Sequence, residues 1–414
     1  MRADRRAPFA ALGGKTPEAC FGSLVTPCYI LDEGQLRKNA ESLAAIADRT
    51  GCRWLLAQKA FSNYDCYPVL APFLAGTEAS GLYEARLGYE QLPEKEVHVF
   101  CGAYREQDFQ ELLQYAGHIV FNSPAQLAKF GPRAKAAGKS LGLRINPECS
   151  TQEDHAIYDP CAPGSRLGTT RAQWDEKMTP ELAALLEGLH FHTLCEQNSD
   201  ALELTLEAVA EKFGDVLPHM QWLNMGGGHH VTRPDYDIPR LENCIRRAQT
   251  RWGVEVYLEP GEAWALNAGF LASRVLDLTE NSGVKNAVLD CSAACHMPDV
   301  IEMPYLPPVY GAEAVEDAAE QASPSREAEA LHRYRLGGPS CLSGDVIGDY
   351  RFDHPLREGE LLLFGDLAIY STCKNNTFNG MPLPQIYRRR EDGRLEQLTD
   401  FGYRDFKYRL GKSS

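Results

Sequence analysis

One lysine, Lys59, stands near the end of the stretch Trp54–Phe61, WLLAQKAF. A short apolar run, Trp54–Ala57, leads into it. Such a run reads as a strand buried on both faces, the kind found in parallel sheets covered by helices. Lys59 then sits at or near the strand's C-terminal end, where α/β barrels carry their chemistry. Burial disfavours an ammonium, so a lysine in a partly apolar setting gives up its proton more easily, and the neutral amine can attack a carbonyl. Lysine is mostly exposed in proteins, and a lysine that only ends a strand and faces water fits this segment too.

Other polar residues fall at the same end of other apolar runs. Glu78 lies in the second run. Arg144 is near the end of LGLRIN, His192 ends GLHFH, Gly226, Gly227 and Gly228 follow WLNM, and Glu259 ends VYLEP. Ringed around one mouth, these types suit a cofactor with an aldehyde, a phosphate and an aromatic ring bearing a basic nitrogen. Lysine forms a Schiff base with the aldehyde. Glycines let backbone N–H groups approach a phosphate. Histidine stacks on a ring face, and a carboxylate keeps a pyridine nitrogen protonated so that the ring accepts electrons. Those are the needs of pyridoxal 5′-phosphate. Singly, each residue has a plainer reading: a glycine turn, a satisfied core histidine, a loop glutamate before Pro260 and Gly261. Their joint placement carries the expectation.

The elements that must position them alternate regularly. Apolar strand-like runs at Trp54–Lys59, Thr77–Ser80, Val97–Cys101, Ile119–Asn122, Leu141–Asn146, Leu186–Thr193, Trp222–Gly226 and Val254–Glu259 are separated in most cases by helical stretches such as Tyr83–Glu90, Glu106–Tyr115, Pro124–Ala137, Ala201–Phe213 and Pro239–Arg251. Eight strands alternating with helices predict a TIM-like, eight-stranded parallel α/β barrel. Ahead of it, Pro27–Leu31 predicts a strand, and Asp32 an N-cap for a helix to about Arg49. After about Ser273, short strands with Gly and Pro turns take over (Ala287–Cys291, Arg333–Leu336, Leu361–Phe364, Ala368–Tyr370), which predicts a C-terminal all-β domain. The expected organisation is residues 1–30 as an arm and a strand joining the β domain, 31–273 as the barrel, and 274–414 as the β domain. An Ala-, Glu- and Ser-rich insertion lies around 311–329.

Composition narrows the function classes. With 414 residues, 44% of them hydrophobic, the chain is ordinary globular material. A net charge of −15 argues against nucleic acid, which needs a basic surface, and would draw a cationic substrate. Thirteen scattered cysteines read as reduced thiols, and no stretch is apolar enough for a signal-peptide core or a membrane span, so a cytoplasmic protein is expected. Cys291, Cys295 and His296 could bind zinc, but no second pair stands at zinc-site spacing, and no metal is expected. Gly338–Leu342 lacks the final glycine of a nucleophile elbow, and no Walker or dinucleotide-binding glycine motif occurs.

The order Lys59, Arg144, His192, Gly226–Gly228, Glu259, Cys341, Tyr370 resembles the fold-type III, alanine-racemase-like pyridoxal-phosphate decarboxylases, which include ornithine and diaminopimelate decarboxylases. The stretches TPCYILDE (26–33), EPGEAW (259–264), HMPDVIEMPY (296–305), CLSGDVIGDY (341–350) and KNNTFNG (374–380) are most similar to the branch acting on carboxylated triamines, carboxynorspermidine and carboxyspermidine, in polyamine biosynthesis. The resemblance spans about residues 25–388. It implies that Lys59 holds the cofactor, Glu259 pairs with the pyridine nitrogen, His192 stacks on the ring, Gly226–Gly228 and Tyr370 hold the phosphate, and Arg144 sits near the ring hydroxyl; Glu78 joins this cofactor set. It also implies a homodimer with shared sites, in which Cys341 of the second subunit protonates the product carbon; a buried structural cysteine is the plainer reading. One departure matters. Ornithine and diaminopimelate decarboxylases carry a phosphate-touching arginine after Glu-Pro-Gly, where this chain has Glu262, and diaminopimelate decarboxylase has a glutamate beside the active cysteine, where this chain has Leu342. Both changes argue against diaminopimelate. Glu262 would instead favour a substrate amine, with Asp299 and Asp345 as further candidates that could equally be surface or turn residues. The alternatives are a diaminopimelate or other diamino-acid decarboxylase, a catalytically silent homologue that binds a decarboxylase, and a small pyridoxal-phosphate carrier.

Overall fold

A computed structural model describes residues 7–152, 158–315 and 332–412. The chain forms two compact units. One comprises residues 37–264, and the other is assembled from both ends, residues up to 36 and from 265 onward.

Strand β1 (Cys28–Asp32) belongs to the unit built from the chain ends. The next eight strands close the barrel: β2 (Arg53–Ala57), β3 (Gly76–Ala79), β4 (Glu96–Phe100), β5 (His118–Phe121), β6 (Ser140–Arg144), β7 (Gly188–His190), β8 (Trp222–Asn224) and β9 (Glu255–Leu258). All neighbours are parallel, and β9 returns to β2 with Leu258 opposite Trp54. Each of the eight apolar runs is a barrel strand, including Thr77–Ser80, the one with the fewest apolar residues. The helices between them start where short polar side chains can cap. Ser123, Asn198 and Asp237 each accept a backbone N–H from the first turn of the helices Pro124–Ala136, Ser199–Phe213 and Ile238–Trp252. Their apolar positions face inward; Leu202, Leu206, Val209 and Phe213 are buried along one of them.

The barrel's lower end, where the strands begin, is filled by the indole of Trp222. Two neighbouring strands make room by carrying glycine. A Cβ on Gly188 would lie 2.0 Å from the indole ring, and one on Gly142 2.3 Å from it. Around it lie His98 and His118, stacked with centroids 3.9 Å apart at 10°, and Tyr257 under the Arg53 guanidinium. Burial, with His98 adding to it, pushes His118 down to about 3. This end is a packed core rather than a pore.

The other unit is a mixed sheet. It adds β10 (Gly269–Asn281), β11 (Val284–Leu289), β12 (Ala312–Ala314), β13 (His332–Gly337), β14 (Val346–Phe352), β15 (Leu361–Gly365), β16 (Gln385–Arg389) and β17 (Leu395–Gln397). Among the described residues the order is β12-β14-β13-β11-β10-β1-β16-β17, with β15 also on β10. β1 runs antiparallel to β10 and parallel to β16, and all five of its residues are buried.

Three expectations change here. Within the expected arm, Leu12 and Phe21 are buried in the sheet core with Cys28, Ile30, Phe270 and Leu363. Ser273 lies inside β10, because the strand's first five residues are fully buried and read like one more barrel run, while its second half is largely exposed. Ala368–Tyr370 is not a strand. Asp366 and Tyr370 take positive φ values of 57° and 55°, and the chain turns into a short helix, Ser371–Lys374. Of the expected insertion, Ala312–Ala314 pairs with β14, and 316–329 lies outside the described residues. Among the described residues no helix is long and apolar enough to cross a membrane, and all thirteen cysteines are free thiols.

Candidate active site

The barrel candidates converge on the rim where the strands end. Lys59 comes two residues after β2, and its Nζ lies 3.7 Å from Glu78 Oε2, near the end of β3. The lysine is about one-third exposed (37%), whereas the glutamate is buried (2%). Glu78 Oε2 has no hydrogen-bond partner among the described residues. Burial pushes the Glu78 carboxyl up to about 8; Lys59 opposes the shift and Glu259 adds to it. The amine therefore faces an acid that keeps its proton near neutrality.

Glu259 follows β9 directly. Its Oε1 accepts from Asn224 Nδ2 at 2.6 Å, and its Oε2 lies 3.2 Å from His190 Nε2. Burial alone would favour the protonated carboxyl. His190, then Lys59 and His98, outweigh it and hold Glu259 down at about 2. Burial lowers His190 from its ordinary value, against the pull of Glu259, and its Nε2–H donates to a carboxylate that can only accept. Asn224 spans two elements, since its Oδ1 accepts the Gly226 N–H at 2.9 Å. The glycine loop and the glutamate are thus tied through one amide side chain, and the Glu259 N–H closes the link onto the Gly226 carbonyl at 2.8 Å.

His192 stands two residues beyond His190. Its Nδ1 accepts the Gly227 N–H at 3.1 Å, and its carbonyl accepts from Arg144 at 3.0 Å. Burial, then the charges of Lys59 and Arg144, hold His192 well below the ordinary histidine range. Arg144, the last residue of β6, lies 4.5 Å over the Phe100 ring, and Phe100 stacks on His190. Burial lowers even this guanidinium to about 10. In the loop, Gly226 and Gly228 take φ of 71° and 79°, which disfavours side chains. At Gly227 the constraint is contact: a Cβ would sit 2.5 Å from the Glu259 carbonyl oxygen. A Cβ on Gly261 would sit 2.5 Å from Ala60 Cβ, so the turn after Glu259 packs against the turn that carries Lys59. Glu262 Oε2 lies 2.5 Å from His230 Nε2.

Cys341, Tyr370, Asp299 and Asp345 belong to the sheet unit. Cys341 is exposed, and its N–H donates to Asn379 Oδ1 at 3.3 Å; the buried-cysteine reading does not hold. Tyr370 precedes the Ser371–Lys374 helix with Lys374 Nζ 5.9 Å from its ring. Asp299 pairs with Lys374, which also binds Glu302 at 2.6 Å. Asp345 is buried and accepts from Ser292 Oγ (2.9 Å), the Ala294 N–H (3.2 Å) and Ser340 Oγ (2.6 Å). Its carboxylate holds that turn together. His296 uses both ring nitrogens, for the Ser292 N–H and the Pro382 carbonyl, so it is not presented as a zinc ligand.

Sequence reasoning missed Asn224, His190, His230 and Phe100. The two-residue spacing of His190 and His192 was the available signal, because strand alternation sends both to one side. Nothing in WLNM or GGGHH marked Asn224 or His230.

The residues present fit pyridoxal phosphate. An amine, a buried carboxylate held ionised and a backbone loop with no room for Cβ atoms stand on one rim, and the Glu78 oxygen is left without a hydrogen bond beside the amine.

Comparison with known proteins agrees. Residues 28–368 match the family described as pyridoxal-dependent decarboxylase, C-terminal sheet domain. The chain is 40% identical over 390 residues to the carboxynorspermidine/carboxyspermidine decarboxylase of Campylobacter jejuni, covering 94% of this chain and 99% of that one. It is also 40% identical over 392 residues to the carboxyaminopropylagmatine decarboxylase of Synechocystis, covering 94% and 97%. Among solved structures it is similar to C. jejuni carboxynorspermidine decarboxylase complexed with norspermidine, with a TM-score of 0.83, 37% identity and coverage of 93% and 100%.

Proposed function

Since the chain belongs to the pyridoxal-dependent decarboxylase family, we propose that it removes the α-carboxylate of carboxynorspermidine or carboxyspermidine, leaving norspermidine or spermidine. The observation that carries this reading is the 40% identity to the C. jejuni enzyme across nearly all of both chains. Bound pyridoxal phosphate supplies a ring that takes up the electron pair left when carbon dioxide departs. The protein's part is to hold, orient and protonate. Lys59 would hold the cofactor through its amine, beside the protonated Glu78. Glu259, kept ionised and fixed by Asn224 and His190, would accept the pyridinium N–H. His192 would lie against the ring face, Arg144 near the ring hydroxyl, and the Gly226–Gly228 loop, with Tyr370, around the phosphate. Cys341 of a second copy in a homodimer would deliver a proton to the carbon that lost its carboxylate. Asp299 is already paired with the ammonium of Lys374, the kind of group a triamine presents, and is proposed as a substrate contact. Glu262 shares its carboxylate with His230. The protein is proposed to act in the cytoplasm.

A second reading, carboxyaminopropylagmatine as substrate, is favoured by the equal identity to the Synechocystis enzyme. Carbon dioxide release from these three compounds, with diaminopimelate, ornithine and arginine alongside, decides between them. The proposal expects a carboxylated triamine to give the highest kcat/KM. A higher value for carboxyaminopropylagmatine would move the assignment to the second reading, and one for a diamino acid would overturn both.

A further inference from the structure

A phosphate seated on the glycine loop meets an electrostatic difficulty in this chain. The loop neighbours Glu262, a carboxylate in the turn that follows Glu259, and a carboxylate beside a phosphate dianion repels it. The structure supplies one group that could reverse this. His230 closes the loop segment that begins with Gly226–Gly228, and it is nearly nine-tenths buried (side-chain exposure 11%). Its Nε2 meets Glu262 Oε2 at 2.5 Å, joining the two loops that flank the cofactor site. Its other nitrogen, Nδ1, is buried and has no hydrogen-bond partner among the described residues. With Nε2–H given to the Glu262 carboxylate, Nδ1 carries a hydrogen in the imidazolium form, and that N–H then requires an acceptor. His229, the neighbouring histidine, also leaves its Nδ1 without a partner among the described residues, but its Nε2 meets the Met225 carbonyl, at 3.4 Å, rather than a carboxylate.

We propose that His230, backed by Glu262, is a phosphate ligand of the cofactor site, its Nδ1–H donating to a phosphate oxygen. The inference rests on the reading of Gly226–Gly228 as the phosphate cradle. Charge agrees with it. Burial works against the imidazolium, but the Glu262 hydrogen bond and charge, with Glu196 adding to them and Arg233 opposing, raise His230 above its ordinary value. Arg233 itself is half-buried and paired with Asp235. The pair thus turns a glutamate that would repel the phosphate into the support of a cation that binds it. Two roles separate: His230 touches the phosphate, and Glu262 positions His230.

The test compares pyridoxal phosphate with pyridoxal, which lacks only the phosphate. Full-length protein is freed of cofactor with hydroxylamine, and each compound is titrated back by absorbance. The wild type is expected to prefer pyridoxal phosphate strongly. His230→Ala is expected to weaken pyridoxal phosphate by about ten- to hundredfold, the range of a hydrogen bond to a charged group, while leaving pyridoxal unchanged. Glu262→Gln is expected to give a smaller loss of the same kind, and His230→Gln, which keeps a side-chain N–H donor, to fall between. Equal weakening of both compounds in His230→Ala, or no weakening, would overturn the proposal and leave His230 as a structural tie. A wild type without preference would instead overturn the cradle reading beneath it. Glu196, His230 and Glu262 also lie within 4.8 Å of one another. Loss of the preference on adding EDTA to wild type would mean that a cation held there binds the phosphate, and the proposal would fail.

Discussion

Replacing Glu78 by glutamine should change how stability depends on pH, by an amount the structure sets. Glu78 is buried, its Oε2 has no hydrogen bond among the described residues, and its carboxyl is pushed up to about 8 from an ordinary 4.5. Below pH 4.5 both the folded and the unfolded chain hold this proton, and Glu78 adds no pH dependence. Between about 4.5 and 8 the unfolded chain releases the proton while the folded one retains it, so stability falls as pH rises, by about 1.4 kcal/mol per unit. Above about 8 both have lost it, and the accumulated loss stays constant at roughly 3–5 kcal/mol. Glu78→Gln keeps the shape and removes the titration. Any cost of burying the amide is the same at every pH, so it displaces the curve without tilting it. Urea midpoints of cofactor-free wild type and variant, measured from pH 4 to 9, should therefore diverge in the variant's favour across this window and run parallel outside it. Parallel curves throughout would show that Glu78 ionises as an exposed carboxylate does, and would refute the enclosed, protonated acid beside Lys59.

Gly188→Ala would drive a Cβ to within 2.0 Å of the Trp222 ring; overpacking should lower stability by about 1–3 kcal/mol, with partial recovery in Gly188→Ala/Trp222→Leu, read by thermal melting. Asn224→Ala removes a donor from the ionised form of Glu259 and an acceptor from the Gly226 N–H. Glu259 should then protonate more readily, so the acid limb of the kcat profile should move to higher pH and kcat should fall about tenfold or more; an unmoved limb would detach Asn224 from the site. For the proposed shared site, mixing Lys59→Ala and Cys341→Ala protomers should restore part of the activity, and verified subunit exchange without recovery would count against a dimer that shares its sites.

The barrel was legible because parallel strands buried on both faces leave continuous apolar runs, and even GTEA in β3 kept the expected spacing. The rim was legible for the same reason: a lysine, an arginine or a glutamate directly after such a run has few places to go but the strand end. What stayed hidden depends on partners distant in sequence. Asn224 is one polar residue in WLNM until Glu259 arrives from the next strand, and His230 is one of two histidines until Glu262 arrives 32 residues later. The three donors to Asp345 come from two other segments. Leu12 and Phe21 are too sparse to show a period, although both are buried.

The sheet unit has its own timetable. β1 (Cys28–Asp32) is central to it, flanked by β10 and β16, yet β16 begins only at Gln385, about 350 residues later in synthesis. At a synthesis rate of about 5–20 residues per second, β1 waits roughly 18–70 s for its second neighbour. The barrel segment between them is continuous and can fold during that wait. Until β10 (Gly269–Asn281) is made, CYIL, the apolar part of a strand destined for complete burial, has an open edge on either side, and from then until β16 one edge stays open. Slower translation lengthens this interval, so the yield of soluble protein should depend on what shields Cys28–Asp32 until β16 is made.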